Sequence, residues 1–90
     1  TLRVATLGDT ESNLAKFTQI KEAREWLLAS TGTTLVEASP WDAIWGIGLG
    51  AEDPRALSRA TWLGTNDLGE IETQVRNDIE TMIAAGVTFP

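Results

Sequence analysis

The chain contains no cysteine, which excludes disulfides and thiolate-ligated metal centres. It contains no histidine either, so the commonest metal ligand and the commonest general base are both missing. Acid–base chemistry would therefore fall to Asp and Glu, with Lys16 and Lys21 as lesser candidates. No apolar run approaches the ~20 residues of a membrane span, and no basic, apolar leader opens the chain. The plain expectation is a cytoplasmic protein with no membrane partner. Positive charge is also scarce: thirteen acids against seven bases leave a net charge of −6. That sign repels a phosphate backbone and argues against non-specific nucleic-acid binding, while a local site for one phosphorylated ligand stays compatible with it. The chain begins at Thr1 rather than Met, so a trimmed or missing leader is expected.

What is present fits one domain over residues 1–90. The 42% hydrophobic content and four Trp suffice for a modest core, although a chain this short buries only roughly 60% of its extended surface. Leu2 and Val4 predict a short strand over residues 2–7 that ends at Gly8. Asp9 or Thr10 could cap a helix through ESNLAKF, with Leu14 and Phe17 on one face. A second helix is predicted over residues 21–29, carrying Ala23, Trp26 and Leu27 inward and stopping near Gly32. The β-branched, alternating TTLVEA, residues 33–38, predicts a strand that Pro40 ends. Residues 41–50 read as extended and glycine-rich, and residues 51–62 as a surface loop with one helical turn after Pro54.

The clearest element is the last. From Asn66 onward, Leu68, Ile71, Val75, Ile79 and Met82 repeat at three and four, with Glu70, Glu72, Arg76, Asp78 and Glu80 on the other face and Gly86 as the stop. The fold class is therefore α/β or, more narrowly, helix-rich α+β: short strands with an amphipathic C-terminal helix.

One run does not look like ordinary core. VEASPWDAIWGIGLG, residues 36–50, sets two indoles four apart around one aspartate and follows them with alternating glycines. A pocket for a flat, polar ligand would use that mixture. With KF (16–17), LL (27–28), LVEASPWDAIWGIGL (35–49), WLGTNDLG (62–69) and VR (75–76), it forms an ordered series over about residues 16–76. The series resembles the C-terminal part of the NADAR (YbiA-like) family. The resemblance implies an enzyme that hydrolyses N-glycosidic bonds, of ADP-ribosyl bases or of phosphoribosylamino-pyrimidine intermediates of riboflavin synthesis. It implies no metal and no organic cofactor. The family domain usually carries a larger N-terminal part with an S-x-E-like glutamate, and only fifteen residues precede Lys16 here. This chain is thus expected to be truncated on that side. Asp67 also stands where an apolar residue is common.

An N-glycosidase needs a carboxylate near an oxocarbenium-like anomeric carbon. Asp42, between two indoles, is the leading candidate, and partial desolvation is expected to raise its pKa. The bland alternative is that Asp42 caps a turn after Pro40. Glu37 is the second candidate, either as a catalytic carboxylate or as a structural ion pair. Trp45 and Trp41 could stack on a nucleobase, or both could be core. On an extended segment they would project from the same side. Gly46 and Gly48 could let backbone amides approach the ligand, or mark a tight bend. Trp62, Gly64 and Asn66 complete the substrate-binding set by resemblance. Thr65, Asn66 and the amides of the following helix would suit a phosphate or a ribose hydroxyl, unless Asn66 is only its N-cap. Arg55 and Arg59 could meet phosphates or simply be solvated. The expected ligand is a nucleotide-like small molecule such as ADP-ribose. A second copy, or another chain that completes the site, is an expected partner. The runner-up reading is a module that binds ADP-ribose or NAD without turnover.

Overall fold

The computed structural model describes residues 2–6 and 16–90. Strand β1 (Leu2–Thr6) is followed by helices α1 (Lys16–Gln19) and α2 (Lys21–Leu28), strand β2 (Thr34–Ala38), two short 3₁₀ turns (Pro54–Leu57 and Arg59–Thr61) and helix α3 (Asp67–Ala84). The helix expected through ESNLAKF starts outside the described residues, and its Phe17 lies in α1. Parallel strands need a crossover. Here α1 and α2 lie in it, and β1 pairs with β2 from Leu2↔Thr34 to Thr6↔Ala38. The fold is a small α+β arrangement in which helices outweigh a two-stranded parallel sheet.

Alternation along β2 divides the core. Leu35 joins Phe17, Leu27 and Ile79 in one buried cluster, and Val36 joins Ile47, Leu49 and Ala56 in another. Successive strand residues point to opposite faces, so β2 is the partition between two small cores. The first core is helical. Leu27 is buried and Ala23 and Trp26 are partly so, on the face their spacing predicts. At the end of α2 the Ser30 hydroxyl donates to the Leu27 carbonyl at 2.5 Å. Arg76 of α3 then donates to the Ser30 carbonyl at 2.9 Å and to its hydroxyl at 3.1 Å.

α3 is rotated from the expected orientation. Leu68 and Ile79 are buried, with Val75 and Met82 packed beside them, but Ile71 is exposed. Glu72 and Arg76, expected on the wet face, are buried. The cause lies at Leu35. The Thr73 hydroxyl accepts from the Leu35 amide at 2.8 Å, and a Cβ on Gly69 would run into the Leu35 carbonyl. Residues 69 and 73, one turn apart, thus face β2 and carry Ile71 outward. Steps of three and four also run through Leu68, Glu72, Val75 and Ile79, so hydrophobic spacing alone does not choose between the two faces. Gly86 ends the helix at φ +94°, and the Val87 amide turns back to the Met82 carbonyl at 3.0 Å. No helix among the described residues is long and apolar enough to cross a membrane.

Candidate functional site

Residues 41–50 are not the extended segment their composition predicts. They form turns and bends, because a side chain takes the amides a neighbouring strand would use. Asp42 Oδ1 accepts from the Ile44 amide at 2.9 Å and from the Trp45 amide at 2.8 Å. This is the Asx-type turn open to any aspartate after a proline. The Gly48 amide, at φ +73°, closes the loop onto the Asp42 carbonyl at 3.1 Å.

The outward carbonyls then find a second loop. Those of Ala43, Ile44, Trp45, Gly46 and Ile47 accept from the amides of Thr65, Asp67, Leu68, Asn66 and Leu63, all at 2.8–3.0 Å. Contact this close leaves no room for side chains. A Cβ on Gly64 would sit 2.6 Å from the Ala43 Cα and from the Ala43 and Gly46 carbonyl oxygens, and one on Gly46 would sit 2.8 Å from the Glu37 carbonyl oxygen. Gly64 therefore serves loop-to-loop packing, and Gly46 serves packing of its loop onto the end of β2. The amides proposed for a phosphate or a ribose hydroxyl at the start of α3 are engaged as well. Those of Thr65, Asn66, Asp67 and Leu68 all bond to the Asp42 loop, and the Thr65 hydroxyl donates to the Ile44 carbonyl at 2.8 Å. Asp67 and Glu70 in the first turn add charge of the wrong sign for an anion.

Asn66 departs most from expectation. It precedes α3 in the left-handed region, φ 57° and ψ 36°, but its side chain does not cap the helix. It is fully buried and turned toward β2, where Oδ1 accepts from the Glu37 amide at 2.8 Å and Nδ2 donates to the Leu35 carbonyl at 3.0 Å. Glu37 is 1% exposed on β2, and its carbonyl accepts from the Ile47 amide at 3.0 Å. Asp42, Trp45, Gly46, Asn66 and the Glu37 backbone thus form one hydrogen-bonded unit, with Gly64 packed tightly against it.

Trp41 is 93% exposed and Trp45 50% exposed, so neither is core, and both stand on turns and bends rather than on the extended chain expected. Ile44, next to Trp45 in sequence, and Leu63, next to Trp62, are exposed as well. Trp62 is half-buried against the Val36 cluster, with its indole N–H on the Ala56 carbonyl at 2.9 Å and the Arg59 guanidinium 5.1 Å from its ring centroid. Arg59 also pairs with Glu70, and Arg55 with Asp53, each at 2.9 Å.

Electrostatics at Asp42 run opposite to the expected rise. The Ile44 amide first and the Trp45 amide next hold the Asp42 carboxyl below its ordinary value of 3.8, because both bonds favour the ionised form. Asp42 is half-exposed, so desolvation is the lesser influence. The site carboxylate is an anion at neutral pH. Spacing also concealed Glu72, fully buried on α3. Its one clue is its place four residues after Leu68 and four before Arg76 on a face that also holds Ile79.

The NADAR domain pattern matches residues 10–80. The chain belongs to the NADAR family. Over 68 residues, 76% of this NADAR chain and 32% of the relative, it is 47% identical to protein irg-1 of Caenorhabditis elegans. Over 69 residues, 77% of the chain and 41% of the relative, it is 41% identical to N-glycosidase R617 of Acanthamoeba polyphaga mimivirus. The matched part thus spans about a third to two-fifths of these relatives. No solved structure matches the chain.

Proposed function

We propose that this NADAR chain contributes one wall of an N-glycoside hydrolase site for an ADP-ribosyl or phosphoribosyl N-glycoside. The observation that carries the reading is Asp42, a half-exposed carboxylate kept ionised by two backbone amides and followed, three residues on, by a half-exposed indole. As the bond from the anomeric carbon to the base nitrogen breaks, its electron pair leaves with the base and the sugar gains oxocarbenium character. A fixed anion stabilises that positive charge as it develops. Its lowered pKa makes Asp42 a weak base, so its part is electrostatic: water adds its oxygen to the anomeric carbon and gives up its proton to the departing base or to solvent. Oδ1 holds the turn, and Oδ2 is the atom for the sugar. Trp45 offers its face to the departing base. The naming of a 41%-identical relative as an N-glycosidase supports the reaction class.

A second reading is a non-catalytic ADP-ribose or NAD module, or a wall that another chain completes; the 93% exposed Trp41 and the longer relatives favour it. The test incubates the purified chain with ADP-ribose, NAD and ribose-5-phosphate and follows heat of binding and release of free base. Asn in place of Asp42 still offers an oxygen to both amides, so Asp42→Asn removes the charge while sparing the turn. Turnover of NAD by the wild type, reduced about 10²–10³-fold in Asp42→Asn, supports the enzyme. Equal turnover in both overturns the role of Asp42. Binding without turnover supports the second reading.

A further inference from the structure

Residues 35 and 37 of β2 turn their backbone polar groups away from β1, and all four groups are satisfied without another strand. The Leu35 amide donates to the Thr73 hydroxyl at 2.8 Å, and the Glu37 carbonyl accepts from the Ile47 amide at 3.0 Å. The central two, the Leu35 carbonyl and the Glu37 amide, belong to the single carboxamide of Asn66, at 3.0 and 2.8 Å. One N–H donor and one oxygen acceptor at that spacing reproduce what a neighbouring peptide would offer. The backbone amide of Asn66 meanwhile donates to the Gly46 carbonyl at 2.9 Å, on the loop that Asp42 organises.

The rest of the site is shaped around this side chain. Asn66 is the one described non-glycine residue with positive φ, a conformation Asn adopts far more readily than most residues. Gly69 lies so close that a Cβ there would collide with both the Oδ1 and Nδ2 of Asn66. The carboxamide is fully buried among protein partners.

We propose that Asn66 is a positioning residue: its carboxamide stands in for a third strand's peptide and holds the Asp42 loop in register with Glu37. The proposal deepens the reading of Asp42 as the site carboxylate and rests on it for its catalytic consequence. Asn66 touches no ligand. It acts through Gly46 and the turn that presents Asp42 and Trp45.

Asn66→Asp gives a discriminating test, because a carboxylic acid has the donor and acceptor of a carboxamide and a carboxylate has no donor. The introduced carboxyl would be buried, with its second oxygen against the Leu35 carbonyl. Burial and that carbonyl both raise its folded-state pKa. The ionisable groups on the packed elements are Glu37 on β2, Asp42 in the loop, and Asp67, Glu70 and Glu72 on α3, with the Arg59 guanidinium paired to Glu70 at 2.9 Å. The ionised Asp42 pushes it the same way. The defect is therefore present at high pH and relieved as pH falls through the raised value.

The experiment records backbone amide signals of Glu37, Trp45 and Gly46 in the ¹⁵N-labelled chain, together with ADP-ribose binding and base release from NAD, near pH 8 and near pH 5. Wild type is measured in parallel at each. Asn66→Ala is expected to displace the three amides and weaken ADP-ribose binding at least about tenfold at both pH values. Asn66→Asp should do the same near pH 8 and return to within about twofold of wild type near pH 5. An Asn66→Asp defect equal at both pH values overturns the proposal. So does Asn66→Ala that loses ADP-ribose affinity while the Glu37 and Trp45 amides stay in place, since that pattern marks direct ligand contact. If wild type neither binds ADP-ribose nor releases base from NAD, the functional reading fails, and the amide signals alone decide the positioning role.

Discussion

The two sides of β2 are built by different physics. On the Leu35 side, Phe17, Leu27 and Ile79 close a core between helices, and apolar burial is the organising force. On the Val36 side the cluster of Val36, Ile47, Leu49 and Ala56 is covered by irregular loops. What fixes those loops is a set of carbonyl-to-amide bonds from residues 43–47 to residues 63–68. The helical side can give up a methylene and keep its shape. The loop side depends on directional bonds and on glycines with no room beside them, and it presents the candidate carboxylate. Directional bonding is concentrated where chemistry is proposed.

The sharpest way to break that contrast is to add one carbon atom on each side of it. Gly64→Ala pushes a methyl against backbone of the Asp42 loop, and backbone does not step aside as a side chain tip does. A loss of about 3 kcal/mol or more is expected in urea unfolding. Gly69→Ala is nearly as severe, because its methyl meets Asn66 and Leu35. Elsewhere in a helix the same change gains about 1 kcal/mol, so the sign of the effect decides the point. Ile79→Ala in the helical core should cost about 2–5 kcal/mol. It should leave the Trp45 amide signal unmoved, whereas the glycine variants displace it.

Acid gives a smaller, local break. The bonds from Ile44 and Trp45 favour the ionised Asp42 carboxyl, so its folded-state pKa lies below 3.8. A group with a depressed pKa stabilises the fold fully above its unfolded value and loses that contribution as pH falls through the folded one. The Ile44 and Trp45 amides should therefore shift together in an NMR titration below pH 3.8 and stay flat in Asp42→Asn. A common shift that survives Asp42→Asn would assign the transition to another group. The smallest effect belongs to Trp41→Ala. At 93% exposure it should change stability by less than about 0.5 kcal/mol, so any loss of ADP-ribose binding reports the ligand and not the fold.

The sequence was most readable where apolar burial rules. Periodicity located α2, β2 and α3 and set Leu27, Leu68 and Ile79 inside. It misplaced Ile71 and Glu72, because the rotation of α3 is set by one hydrogen bond and one close backbone approach at Leu35, neither of which carries a periodic signal. The loop side was legible only as a motif. Its residues could be named, but alternating glycines suggested a strand, and the Asp42 side chain had taken the amides a strand requires. For Asn66 a helix cap was the reasonable expectation from local rules. Its true partners lie 29 and 31 residues away in sequence, beyond any local rule.

The carboxamide against β2 also governs how the sheet can grow. A margin whose donors and acceptors are already matched by Asn66, Thr73 and Ile47 offers nothing to an incoming strand. Widening is left to the far side of β1.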